Sequence, residues 1–456
     1  MIPPDATILA RSLANGTTTS VDLTKAALAR ITGQGAHIRA FITVTAQRAL
    51  AEAEASDVRR ANGEQRGPLD GIPFAVKDNI AAKDVVRTSG TAAFTTPSTH
   101  DATVVTRMCD AGAVLIGTLN MHEGALGASS DNPHWGACQN PLKPGFTPGG
   151  SSGGSAAAIA AQMVPLTLGT DTMGSVRIPA AYCGLWALKP TRGRVPVTGL
   201  AHLSWTLDTI GPLARSPSDL AVMIGVLEGP DINDPSSVLP NAQSSMPQSL
   251  GDLTLGVPDY AALADCEPVV VKSFERLMKE LVAKGADLQP VSVNGWLPGA
   301  LRRAGLLVSE VECAEDFGDA LDGPGLSDTF RSMLEYGRDA GSIRLARAYR
   351  QLQLLATAFE NTITGLDGLL LPTAPQRAFA HGCDVPANQA DFTALANVAG
   401  APAITLPIAA TDGGLPVGAQ IVGQRHHDQN LIAMGHLMED LRAVRDWGQQ
   451  TGRPNA

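Results

Sequence analysis

Apolar positions along the first sixty residues recur at helical spacing. Asp5 stands where it can cap a segment ending at Gly16, and Ser20 heads a second that sets Leu23, Ala27 and Ile31 on one face. The pattern predicts an N-terminal helical layer over residues 1–64. From residue 65 onward, short apolar runs alternate with helical stretches. Gly71 to Ile80 reads as a strand, Asp101 caps a helix that runs to Ala111 and Gly112, and Ala113 to Ile116 reads as the next strand. An alanine-rich helix over 153–163 stops before Pro165 and gives way to Leu166-Thr167-Leu168, and Ser216 with Pro217 opens a further helix by cap and first-turn proline. Leu253 to Val257, Leu369 to Leu371, Ala403 to Leu406 and Ala419 to Val422 have the texture of buried strands. Phe274, Leu277 and Leu281 form the inner face of a helix that stops near Gly285, and 298–365 is mostly helical. Such alternation predicts the α/β class, as one α/β/α sandwich around a large mixed twisted sheet, with residues 65–456 as the main body and the N-terminal layer packed on it. Residues 229–250, rich in Pro, Ser and Asn, read as a surface excursion rather than a linker.

Composition narrows the class of partner. The 456 residues carry a net charge of −10, and no run of Lys or Arg exceeds a pair, which argues against nucleic acid or a membrane surface as partner. Charged residues are 17% of the chain against about 25% in ordinary globular proteins, so much of it is buried or in tight turns. The six cysteines show no C-x-x-C pair and no tetrahedral ligand spacing; they are expected to be reduced core thiols, with no metal and no cofactor. No run of eighteen apolar residues occurs, and the start lacks a basic region followed by an apolar one, so the expected location is cytoplasmic.

The densest chemistry lies in residues 147–179, where two Gly/Ser-rich turns flank one helix and one strand. That layout brings two serine-bearing loops to one sheet edge, where backbone N–H groups can be aimed at an anion. A phosphate cradle is disfavoured because the run lacks the Gly-Lys-Ser/Thr ending of a P-loop. Acyl transfer needs a base for the serine and donors for the oxyanion, and no histidine lies in either loop. The candidate base is Lys77, at the end of an apolar strand. An ordinary lysine is neutral in only about four of ten thousand molecules at pH 7, so this one would need burial to act.

The ordered run GIPFAVKDN at 71–79, Gly149 to Pro179, LKPTRGRVP at 188–196, LPTAP at 371–375 and GAPAITLPIAATDGGLPVGAQIVG at 400–423 resembles the amidase signature family of serine hydrolases. The resemblance implies the amidase signature fold, an α/β sandwich, and a Ser, cis-Ser, Lys triad: Ser175 as nucleophile, Ser151 as bridging serine and Lys77 as base. It also implies an oxyanion hole from the backbone N–H groups of Thr172, Met173, Gly174 and Ser175. Ser152, hydrogen-bonding around Ser151 and Lys77, and the pair Asp171 and Arg177 are expected as support. The loop Gly124, Ala125, Leu126, Gly127 is expected to contact substrate, with His122 and Glu123 as scaffold. Homodimerisation is a further implication of the family.

Two departures from the family pattern stand out. Met173 replaces a usual glycine; it either fits with ordinary backbone angles or lines the substrate pocket and reshapes specificity. Thr118 in Gly117-Thr118-Leu119-Asn120 replaces a frequent lysine, and is expected to be structural. The function these residues predict is an amidase acting on a small-molecule carboxamide, with carbamates and esters open to the same triad. A mild preference for aryl or apolar substrates follows if Met173, Leu126 and Trp135 line the cleft. The alternative is the A subunit of a glutamine-dependent tRNA amidotransferase, against which Tyr336 and Tyr349 stand isolated where that subunit is tyrosine-rich. His426-His427-Asp428 reads as a loop before a helix, with Asp428 as its cap, and Cys183 as a packed thiol.

Overall fold

Alternate residues of the central strands face two separate apolar cores. Phe74 and Val76 join one core while Ala75 joins another; Leu115 is set against Val114 and Ile116 in the same way, and Trp186 and Leu188 against Ala187. A sheet buried on both faces must be covered by helices on both, which is the α/β/α arrangement. The structure, a computed structural model, describes residues 5–238 and 246–450.

Eleven strands form one mixed sheet: β1 (Phe41–Val44), β2 (Pro73–Lys77), β3 (Val114–Leu119), β4 (Leu166–Asp171), β5 (Trp186–Lys189), β6 (Thr209–Ala214), β7 (Thr254–Pro258), β8 (Asp287–Val291), β9 (Gly368–Pro372), β10 (Ala403–Ile408) and β11 (Val417–Val422). Their spatial order is β1-β3-β2-β4-β6-β5-β10-β11-β9-β7-β8. β2 pairs in parallel with both β3 and β4, and β7 with both β8 and β9; the remaining neighbours are antiparallel. Because β2 and β4 run side by side in parallel, with Phe74 opposite Leu166 and Val76 opposite Leu168, their C-terminal residues Lys77 and Asp171 arrive at the same edge. That edge carries the site.

Helices α2 (Ser20–Ile38), α3 (Ala46–Ala61) and α5 (Gly153–Ala160) cover one face through Ala27, Ile31, Ala49, Ala53, Ala157 and Ala158. The small side chains let these helices lie close to the strands. The other face is packed by α1 (Ala6–Ala14), α4 (Thr103–Asp110), α7 (Pro217–Leu227) and α8 (Pro268–Ala283), where Phe274, Leu277 and Leu281 are fully buried, each worth about 1.5 to 3 kcal/mol. A short helix, α6 (Arg177–Cys183), follows β4. Beyond β8 come α9 (Pro298–Phe317), α10 (Asp328–Arg338) and α11 (Ser342–Ile363).

Several local expectations need correction. The first sixty-four residues are not purely helical: β1 pairs antiparallel with β3 and forms one edge of the sheet. Asp5 is at the N-cap of α1, but its side chain makes no capping bond; the Ala6 and Thr7 amides donate instead to Asp219 of α7 at 3.0 and 2.9 Å. The cap of α2 is Thr19 rather than Ser20, whose hydroxyl donates to the Gly71 carbonyl. Asp101 caps nothing, being held by Arg48 and by the Lys83 amide. Asp428 is likewise no cap: it is buried and accepts the Thr191 N–H at 2.8 Å and hydroxyl at 2.7 Å. A carboxylate that finds a remote partner does not cap its own helix. Of the excursion over 229–250, residues 239–245 lie outside the described residues; before them, Val238 bonds the Gly193 carbonyl and Asp234 accepts the Val197 amide, holding that part against the main body. Among the described residues no helix is long and apolar enough to cross a membrane.

Candidate active site

Lys77 closes β2, and its side chain is wholly buried. Its Nζ lies 2.6 Å from Ser151 Oγ and 2.7 Å from Thr170 Oγ1. Burial disfavours the ammonium and brings Lys77 down to about 7, with the Asp208 and Asp171 carboxylates opposing part of the shift. About half of the lysines are then neutral at pH 7, some thousandfold more than for an exposed one. Thr170, on β4, has no counterpart among the sequence expectations. It gives a neutral Lys77 an acceptor for one N–H, leaving the lone pair for the Ser151 hydroxyl.

Ser151 sits in the loop before α5, on the cis peptide Gly150-Ser151. Its carbonyl accepts the His122 amide at 3.1 Å, which is the scaffolding role of that loop. Ser175 lies in the turn between β4 and α6, 9% exposed. The two serine loops are tied by the Ser152 amide, which donates to the Ser175 carbonyl at 3.1 Å. The Ser152 hydroxyl does not reach Lys77. It donates to the Thr170 carbonyl and accepts the Thr170 amide, bracing the strand that carries Lys77's second partner.

Asp171 and Arg177 form a buried, two-point ion pair, Nε to Oδ2 and Nη2 to Oδ1 at 3.0 Å each. Gln420 and Asn397 take the remaining guanidinium edge at 2.8 and 2.6 Å. Burial alone would raise the Asp171 carboxyl; Arg177 overrides it and holds it well below the ordinary range. The pair shapes the turn directly, because Asp171 also accepts the amides of Gly174 and Val176 at 2.7 and 3.1 Å. This corrects one expectation: the Gly174 N–H is committed to Asp171 and is not open to an oxyanion. The amides of Thr172, Met173 and Ser175 donate to no acceptor among the described residues. Gly174 is needed for its backbone, at φ +131°, and because a Cβ there would lie 2.2 Å from Thr393 Oγ1, whose hydroxyl donates to the Met173 carbonyl.

A second carboxylate, absent from the sequence expectations, fixes the turn from the other side. Asp208 accepts the Thr172 hydroxyl at 2.5 Å, the Leu203 and Ser204 amides, and His202 Nδ1 at 3.2 Å. Burial alone would lower His202; Asp208 overrides it and keeps the imidazole above its ordinary value. Only the fold brings residue 208 beside residue 172.

A cavity of about 230 Å³ opens on Ser175. Ala125, Leu126 and Gly127 line it as expected, and so does Met173, but Gly124 does not: a Cβ there would collide with the Phe330 ring. Trp135 is also elsewhere, with Nε1 donating to the Thr91 carbonyl. Glu123 holds Ser327 and His134. Thr118 donates to Asp78, next to Lys77. Cys183 is buried, and its thiol is pushed far up by desolvation. Sequence reasoning named no residue of the wall contributed by α9, where Arg302, Leu306 and Ser309 line the cavity.

Met173 both fits with ordinary backbone angles and lines the cavity; whether it reshapes specificity is the question its replacement answers. Its φ is not in the left-handed region, so the backbone accepts a side chain, and that side chain reaches α9, where a Cβ on Gly305 would come 3.0 Å from its Sδ and Cε. Met173→Gly is expected to open the cavity toward α9 and to raise kcat/KM for bulky acyl amides several-fold relative to acetamide-sized ones. An unchanged ranking across such a series would show that the side chain only fills space.

The family model of the amidases matches residues 22–432, and the chain belongs to this family. It is 37% identical to the A subunit of the glutamyl-tRNA(Gln) amidotransferase of Chloroflexus aurantiacus, over 97% of this chain and 96% of that protein. Among solved structures it is similar to a chain of a vestigial protein complex described as revealing the evolutionary origins of an s-triazine catabolic enzyme, with TM-score 0.90 and 32% identity over 96% of this chain and 99% of that one. It is also similar to the native peptide amidase of Stenotrophomonas maltophilia, with TM-score 0.85 and 30% identity over 97% of each.

Proposed function

We propose that this chain cleaves a carboxamide C–N bond by acyl transfer to Ser175. The observation that carries the reading is the buried Lys77, poised to be neutral near pH 7 and 2.6 Å from Ser151, in a loop tied to the one bearing Ser175. Ser175 Oγ attacks the carbonyl carbon while its proton passes to Ser151, whose own proton moves to Lys77. The open amides of Thr172, Met173 and Ser175 receive the oxyanion. As the C–N bond breaks, the same chain returns the proton to the leaving nitrogen, and ammonia or an amine departs. Water then attacks the acyl-enzyme through the same relay and releases the acid.

The setting of this chemistry has two readings. The full-length likeness to the A subunit of an amidotransferase favours a partner-dependent role, in which the ammonia released passes to a companion protein. The likeness to a peptide amidase supports a free-standing hydrolase instead. The purified chain assayed alone against a matched aryl amide, aryl carbamate and aryl ester, with Ser175→Ala as blank, separates them. Amide turnover by the isolated chain supports the hydrolase. Ester turnover without amide turnover supports the partner-dependent role. No Ser175-dependent turnover of any member rejects the acyl-transfer reading.

A further inference from the structure

Selection of the substrate beyond its amide bond rests on the acyl-transfer role of Ser175. The cavity at Ser175 is walled mainly by apolar groups, among them Leu126, Met173, Ile178, Leu203 and Leu306, and Arg302 is its one charged lining residue among the described residues. Arg302 lies in the first turns of α9. Its Nη1 donates to Asp391 Oδ1 at 2.6 Å, and its other N–H groups have no acceptor among the described residues. The same arginine lines an adjoining cavity of about 380 Å³, together with Asp265, Asn388 and Asp391, and the two chambers also share Ala387. Arg302 thus stands at the boundary between the apolar chamber at Ser175 and a neighbouring one that carries two carboxylates, Asp265 and Asp391.

A guanidinium facing an apolar cavity is costly unless its donors are used. Asp391 holds the side chain in place by one of five N–H groups, which leaves an edge able to take two parallel bonds from a carboxylate. We propose that Arg302 binds a carboxylate on the substrate, so that the chain acts on amides that also carry a carboxylate group. Two kinds of molecule share that chemistry: the monoamide of a dicarboxylic acid, and an amino acid amide whose ammonium faces Asp391.

The test compares kcat/KM of the full chain for pentanamide, glutaric acid monoamide and glutamine, in wild type, Arg302→Gln and Arg302→Lys. Wild type is expected to favour the monoamide over pentanamide by about tenfold or more, mainly through KM, as one charge-assisted pair of bonds supplies. Arg302→Gln should bring that ratio close to one, and Arg302→Lys should leave an intermediate value, which also carries the test if Arg302→Gln does not fold. Glutamine faster than the monoamide places an ammonium at Asp391; glutamine equal or slower leaves the carboxylate as the whole of the recognition. Ser175-dependent hydrolysis of p-nitrophenyl acetate is followed in parallel. For a chain active on the ester alone, the two amides are compared as competitive inhibitors and the same ratios are read. A ratio near one in wild type, or one that survives in Arg302→Gln, overturns the carboxylate site while the ester activity leaves Ser175 standing. Loss of both activities in wild type overturns the two together.

Discussion

Ser175→Ala is expected to lower amide turnover by about 10⁴-fold or more while leaving the fold intact, the range seen when a catalytic unit loses its nucleophile. Among the described residues the hydroxyl that is removed has no hydrogen-bond partner in the protein's frame. The turn is held instead by Asp171 through the Gly174 and Val176 amides, and by Asp208 through Thr172. Alanine keeps Cβ and the backbone N–H, so circular dichroism and Tm should match wild type. A slowly deacylating substrate followed by intact-mass spectrometry should add one acyl group to wild type and none to the variant. Retention of more than about one hundredth of the wild-type rate, or acylation of the alanine variant, would move the nucleophile elsewhere, with Ser151 as the next hydroxyl on the relay.

How far such a site can be read from the chain depends on where its partners lie. Seven of the eleven strands and several helices announced themselves because their signals are local: the short apolar runs, the period-3.6 faces, Pro217 after Ser216, the alanines over 153–163; no such signal was read for β1, β5, β6 and β8. Lys77, Ser151 and Ser175 were legible through an ordered resemblance that spans most of the chain, not through spacing alone. Thr170, Asp208 and Arg302 were not, because nothing in their neighbourhood marks them; each gains its role from a contact 93, 36 or 89 positions away. The misplaced caps have the same cause. Asp101 and Asp428 look like helix starts by type and position, yet each is bound by groups that only the fold supplies. The committed Gly174 amide is subtler still: the resemblance implies four N–H groups at the turn, and only the Asp171 carboxylate decides which of them remain open.

Lys77→Met should abolish amide turnover and yet make the protein more stable, with a stability gain that depends on pH. Folding lowers Lys77 from an ordinary lysine value to about 7, so between about pH 7 and pH 10 the unfolded chain binds a proton that the folded chain does not. Wild-type stability therefore rises with pH across that window, and the cost of burying the ammonium, roughly 5 kcal/mol for a fall from the ordinary lysine value to about 7, is fully present below it. Methionine carries no such charge and has nearly the same shape, at the loss of the hydrogen bonds to Ser151 and Thr170. The variant is expected to melt about 3 °C or more above wild type at pH 6, with the gap narrowing by pH 9.5. A gap that does not change with pH, or a variant less stable at pH 6, would show that Lys77 is not the group that titrates. Catalysis reads the same group independently. In wild type, kcat/KM should climb with pH through about 7 as Lys77 becomes neutral. The methionine variant should lose amide hydrolysis far more severely than hydrolysis of an activated ester, because only the amide needs its leaving group protonated. Equal losses on the two substrates would leave Lys77 as a structural cation and break the relay at its first link.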